Sequence, residues 1–154
     1  MEQQTYHTAN LFREFSTGYN WTGINAEKAL KDISAETAVR HFHDKHLNIA
    51  ELISHMTCWN IVIAKRLEGK NYQPAPDEDF PGIDQLNEDT WEAIKEKFFD
   101  SILLLNDKLL NKNEDELDQP IFEGATSVYR NVHGQISHLH YHLGQVVLLK
   151  KLLQ

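Results

Sequence analysis

Apolar residues recur every three or four positions along three long stretches of the chain, and more weakly along a fourth. Over residues 45–69, Ile49, Leu52, Ile53, Met56, Trp59, Ile63 and Leu67 fall on one face of a helix turning about 100° per residue. The same spacing runs through Trp91, Ile94, Phe98, Ile102, Leu105 and Leu109 over residues 86–112, and through Val132, Ile136, Leu139, Leu143 and Val147 over 129–153. Residues 4–18 carry a shorter pattern, with Leu11, Phe12 and Phe15 apolar and Gly18 ending it. Each stretch predicts a helix that buries one face.

End signals agree with these spans. Asp44 is placed to cap the second long helix and Gly69 to end it. Asp89 and Glu92 resemble a capping box, which would move the start of the third towards residue 90. All four prolines, Pro74, Pro76, Pro81 and Pro120, fall outside the periodic stretches, where they break no helix. Residues 19–44 predict one or two short helices, near 26–33 and 35–42. No period-two alternation and no Asn-Gly or Asp-Gly hairpin signal appears. The predicted fold is all-α: an antiparallel four-helix bundle with a long connection between the first and second helices, forming one domain over residues 1–154.

Composition narrows the function. The chain has 154 residues, 41% hydrophobic and 25% charged, with a net charge of −8. A chain this long buries about 68–70% of its unfolded surface and needs no disulfide; Cys58 is the sole cysteine. The acidic balance argues against nucleic acid or an anionic membrane as partner. It is also local, because residues 77–119 hold 14 of the 23 acids and no acid follows Glu123. The simplest reading of that segment is a solvated helix face with its loops. No apolar run approaches the ~20 residues of a membrane span. Met1 to Asn10 is polar, unlike a secretory leader, so a cytoplasmic protein is expected.

The nine histidines are the unusual feature. His133, His138, His140 and His142 lie within ten residues of the fourth long helix. His138 and His142 are one turn apart and share a face, the i, i+4 spacing with which two imidazoles bind one metal ion. His133 and His140 share a different face, and His140 lies roughly opposite the first pair. The stripe continues from His138 and His142 through Gln145 to Leu149, a polar notch that becomes apolar. Gly134 and Gly144 each cost ~1 kcal/mol relative to alanine inside a helix, and suggest close approach by another element. His55, on the edge of the apolar face of the second helix, is the best third ligand, since facing helices of a bundle commonly share a metal. Glu51, one turn before it, is placed to orient an imidazole. Cys58 is a possible soft ligand but reads more simply as an inert thiol. His41, His43 and His46 allow a loop site or solvated cap residues, and His7 has no partner in sequence.

Two stretches carry a resemblance. Leu47-Asn48-Ile49-Ala50-Glu51-Leu52-Ile53-Ser54-His55-Met56-Thr57-Cys58-Trp59 places a histidine after a small apolar run, with an aromatic residue four positions on. His138-Leu139-His140-Tyr141-His142-Leu143-Gly144-Gln145 is HxxYH followed by a variable residue and Gly-Gln. Both resemble the DinB-like superfamily of metal-binding four-helix bundles, and Trp21 to Ser34 is similar to its connection after the first helix. About 30 residues carry the likeness. The resemblance implies a divalent metal held by His55, His138 and His142, the same trio that spacing suggests. Where relatives often have a polar or acidic residue after the first fourth-helix histidine, this chain has Leu139.

Imidazole ligands suit zinc, nickel, iron or copper, with zinc or nickel expected here. An HExxH protease would need an acid where Leu139 stands, so any carboxylate must come from elsewhere, such as Glu51 or the third helix. The resemblance points to transferases or isomerases acting on a low-molecular-weight thiol, in which the nucleophile arrives with the substrate. A metal-dependent transferase of that kind is the first reading. A metal-dependent hydrolase and a non-catalytic metal-binding or interaction bundle are the alternatives. A small-molecule substrate is the expected partner, and the resemblance makes a homodimer plausible.

Overall fold

The computed structural model describes residues 3–43 and 47–154. It is helical: α1 (Gln3–Ser16), α2 (Ala26–Leu30), α3 (Ala35–Val39), α4 (Ile49–Leu67), α5 (Pro76–Asp79), α6 (Glu88–Leu110) and α7 (Val128–Leu153), with a 3-10 turn at Glu114–Glu116. Among the described residues, the only β pairing is an isolated antiparallel bridge between Pro120 and Ser127. No helix among them is long and apolar enough to cross a membrane.

The four long helices close a ring of contacts. α1 and α4 each pack against both α6 and α7. Phe12, Phe15, Ile49, Ile53, Met56, Trp91, Phe98, Ile102, Leu105, Leu109, Leu139 and Leu143 are fully buried between them. Each such side chain contributes ~1.5–3 kcal/mol relative to an exposed one. The long connection packs too. Ala26, Ala29, Leu30, Ile33, Ala35 and Ala38 are buried, and the Trp91 indole N–H donates to the Ile33 carbonyl at 2.7 Å.

Helix ends differ from the sequence expectations in two places. α4 begins at Ile49, where the Asn48 side chain accepts from Glu51 N and the Glu51 side chain accepts from Asn48 N, a complete capping box; the expected cap, Asp44, lies outside the described residues. α6 begins at Glu88, capped by Asn87 with Thr90 at the third position, so Asp89 is an ordinary first-turn residue and Glu92 lies beyond the first turn. Asparagine accepts the orphan N–H as well as aspartate does, and two positions separate Asn87 from the expected Asp89. Gly69 ends α4 with φ +80°, a conformation that favours glycine. Gly18 follows α1 where an added Cβ would sit 2.9 Å from the Glu14 Cα.

The connection from α4 to α6 runs back along α4 and is pinned at successive turns. Arg66 Nε donates to the Tyr72 carbonyl at 3.1 Å. The Trp59 indole N–H donates to Asp79 Oδ1 at 2.8 Å. Nearer the start of α4, Ile83 N donates to Glu51 Oε1 at 3.2 Å and Asn48 Nδ2 donates to the Ile83 carbonyl at 2.7 Å. Residues 51, 55, 59 and 66 fall near one stripe of the helix, so this connection lies over His55.

Candidate metal centre

α4 and α7 pack side by side, and this brings His55, His138 and His142 together. One ring nitrogen from each lies within 4.8 Å of the others. His55 Nε2 and His138 Nε2 are 2.9 Å apart. The rings meet edge to face, with centroids 4.5 Å apart for His138 and His142, 4.8 Å for His55 and His142 and 4.9 Å for His55 and His138. His55 and His142 are buried and His138 is partly buried.

Hydrogen bonds on the far side of two rings assign their tautomers. His55 Nδ1 lies 2.7 Å from Asp79 Oδ1, an acceptor-only carboxylate at neutral pH, so Nδ1 donates and the Nε2 lone pair faces the centre. His142 Nδ1 lies 2.6 Å from Gln145 Oε1 and donates to it, leaving its own Nε2 lone pair free. A carboxylate or amide oxygen on the outer nitrogen of a ligating histidine is the usual arrangement at protein metal sites, because it fixes the ring and raises its basicity.

The electrostatics favour the ligand form. Burial is the main force pushing the His138 imidazolium down to about 4; the neighbouring His142 and His55 add to it, and Asp79 opposes it. Burial also lowers His142, against the Gln145 hydrogen bond. Both rings are therefore neutral at pH 7, as metal binding requires. His138 Nδ1 is buried without a hydrogen-bond partner among the described residues, so no second function competes for this ring. Three neutral, converging nitrogens fit a divalent ion: ~2.0–2.1 Å bonds in a tetrahedron place ligand nitrogens ~3.3 Å apart, and the observed spacings bracket that value. The three side chains could hold a metal ion.

Asp79 is the site residue that sequence reasoning missed. It is one acid among many in the acidic segment, at the end of the four-residue α5 between Pro76 and Pro81. Its neighbour Phe80 stacks flat on His55, with centroids 4.3 Å apart and planes at 12°. The flanking prolines were the available signal, since they predict a short constrained turn.

Other expectations resolve differently. Glu51 orients no imidazole; its carboxylate serves the α4 cap and Ile83 N. Cys58 faces a different cavity of about 500 Å³, beside Ser54, Lys65 and Tyr72, and burial followed by the charges of Asp79 and Glu78 raises its thiol to about 11. Gly134 and Gly144 are not approached by another element, because an added Cβ at either would meet nothing within 4 Å. His140 packs edge-on against Phe15, and His133 lies tilted over Tyr129 with ring centroids 4.1 Å apart. His41 lies 3.6 Å from Asp84, away from the triad, and His46 lies outside the described residues.

His55 and His138 open on a cleft of about 490 Å³, lined also by Trp59, Arg66, Arg130 and Gly134 among others. Behind it, Gln135 Nε2 donates to Asn60 Oδ1 at 2.7 Å and Asn60 Nδ2 to Ser101 Oγ at 2.9 Å, a buried polar chain joining α7, α4 and α6.

No curated protein and no solved structure matches this chain. Residues 19–146, which include all three converging histidines, Asp79 and Gln145, match the family model described as the DinB superfamily. The chain belongs to the DinB superfamily.

Proposed function

We propose that this protein is a divalent-metal-dependent transferase that uses a low-molecular-weight thiol, with His55, His138 and His142 as ligands to zinc or nickel. One observation carries the reading. Three ring nitrogens converge beside an open cleft that His55 and His138 line, while Asp79 and Gln145 hold His55 and His142 by their outer nitrogens. A divalent ion supplies Lewis-acid activation of a thiol or a water when bound there. The residues of the chain do the rest. Asp79 and Gln145 aim His55 and His142, Phe80 covers one face of His55, and the cleft leaves room beside the triad for a small molecule.

The carboxylate inventory favours thiol transfer over hydrolysis. Asp79 is the acid lining the cleft, and its Oδ1 already accepts from His55 and Trp59. A thiol, ordinarily near pKa 8.5, needs far less help from a base than water does. A non-catalytic metal tie calls for closed coordination, and a cleft against the ligands weighs against it. The ring of four long helices is read as one antiparallel four-helix-bundle domain.

The test is metal-dependent turnover. Protein loaded with zinc or nickel is assayed with several low-molecular-weight thiols and electrophiles. The proposal expects conjugation that is lost on chelation and in His142→Ala. Thiol-independent hydrolysis of ester or amide substrates would support the hydrolase instead. Stoichiometric metal with no turnover of either kind, together with a large loss of stability on chelation, would support the structural tie.

A further inference from the structure

The cleft beside the triad has a cationic end. Arg66 and Arg130 both line it, in a chain whose net charge is −8. Neither guanidinium pairs with a carboxylate among the described residues. Arg66, partly buried, spends its Nε on the Tyr72 carbonyl at 3.1 Å. Its guanidinium carbon lies 5.6 Å from the Trp59 ring centroid and 5.8 Å from that of Phe122, which leaves the terminal N–H groups as its free donors. Arg130 stands exposed on the first turn of α7. Asp79, in the same wall, is already engaged by His55 and Trp59.

Helical register aligns this end with the triad. Arg130, Gly134 and His138 follow one another at i, i+4 spacing, so they share a face of α7. An added Cβ on Gly134 would meet nothing within 4 Å, so the groove floor between the arginine and the histidine is open. Eight residues of helix separate the two ends by ~12 Å. The first turn of α7 carries no acid, and the positive end of the helix dipole adds to the field there. The backbone N–H groups of that turn are taken: Val128 N donates to Gln119 O, Tyr129 N to Leu117 O and Arg130 N to Ser127 Oγ. An anion in the cleft must therefore be held by the guanidinium side chains.

We propose that the cleft binds its substrate through an oxyanionic group, a carboxylate or a phosphoryl, gripped by Arg66 and Arg130 while the reacting end of the molecule lies at the histidine triad. The inference rests on the enzymatic reading above and names the class of molecule that the site accepts. Paired guanidinium forks match such groups in shape as well as charge.

The test uses a probe with a thiol at one end and a charge at the other. Cobalt(II)-loaded protein is titrated with 6-mercaptohexanoate and with uncharged 6-mercaptohexan-1-ol, followed by the cobalt absorption bands. The acid is expected to bind about tenfold more tightly, as one charge-assisted contact allows. Arg66→Gln and Arg130→Gln should each reduce that ratio below about threefold without changing the spectrum of the thiol-free cobalt protein, and Arg66→Lys should keep most of it. Arg130 is exposed, so its variant remains informative even if Arg66→Gln loosens the connection. Competition by inorganic phosphate at lower concentration than propionate assigns a phosphoryl group, and the reverse order assigns a carboxylate. Equal affinities for the two thiols, or a ratio kept in both glutamine variants, would overturn the inference. If the protein takes up no cobalt, the enzymatic reading fails, and metal-free protein then decides the anion site. A shift of the Trp59 indole resonance with propionate or phosphate, lost in Arg130→Gln, supports it; no shift overturns it.

Discussion

Replacing Asp79 by asparagine separates the two carboxylates near the triad. The variant keeps the size of the side chain and an oxygen able to accept from His55 Nδ1 and the Trp59 indole, at 2.7 and 2.8 Å in the wild type. It removes the charge. A hydrogen bond to a charged group contributes ~1.5–3 kcal/mol and a neutral one ~1 kcal/mol, so the substitution costs ~1–2 kcal/mol in holding His55 in its ligating tautomer. At 1.4 kcal/mol per tenfold, the metal dissociation constant should rise about 5- to 30-fold, overlapping the ~10- to 100-fold typical for such outer partners. Competition titration of zinc against a chromophoric chelator measures it, with far-UV circular dichroism confirming the fold. Glu51→Gln is the control. It weakens the α4 cap and the Ile83 contact, so it should lower stability by ~1 kcal/mol and leave the metal constant within about twofold. An unchanged constant in Asp79→Asn, or a larger loss in Glu51→Gln, would refute the reasoning.

Further outcomes follow from other parts of the molecule. Burial lowers the pKa values of His133, His138, His140 and His142, so between pH 6.5 and 4 the unfolded chain holds protons that the native one does not. Metal-free protein should lose stability as pH falls below 6.5; His138 alone contributes ~1–2 kcal/mol after solvent screening of its partly exposed ring. A scan from pH 7.5 to 5 should show the melting temperature falling by several degrees, and a flat or rising profile would contradict this. Cys58, with its thiol raised to about 11, should react with iodoacetamide at pH 7.5 about a hundredfold more slowly than a free cysteine, and Cys58→Ala should retain metal; mass spectrometry and metal analysis check both. Asn60→Ala strands the Gln135 amide and shortens the buried chain to Ser101. It should cost ~2–4 kcal/mol in urea denaturation.

The long helices were legible because their apolar residues keep a 3.6-residue period. Ile49, Leu52, Ile53, Met56, Ile63 and Leu67, all on the predicted face, are buried. Trp59 shares that spacing but is only partly buried, because its indole N–H reaches out to Asp79. The histidine trio was legible for a related reason: the i, i+4 pair fixes one face of α7, and His55 stands on the helix that packs against it. Gln145 lay on the same stripe as the pair, and the structure gives it a partner in His142. Asp79 was not legible. Its role depends on the path of a connection pinned to α4 by Arg66, Trp59 and Asn48, and no local period marks that path. The helical glycines misled because glycine also serves to leave space open, as Gly134 does in the cleft floor.

Metal analysis of protein purified without a nickel column, beside a His138→Ala variant, tests the central claim most directly. His138 faces His55 through Nε2 at 2.9 Å and has no other hydrogen-bond partner for its ring nitrogens among the described residues. Removing it therefore leaves two ligands and few other losses. About one divalent ion per chain in the wild type, with none retained by the variant, is the predicted result. Stoichiometric metal held by the variant with unchanged coordination, or a wild-type protein that takes up no divalent ion, would contradict the assignment of His55, His138 and His142 as a metal centre.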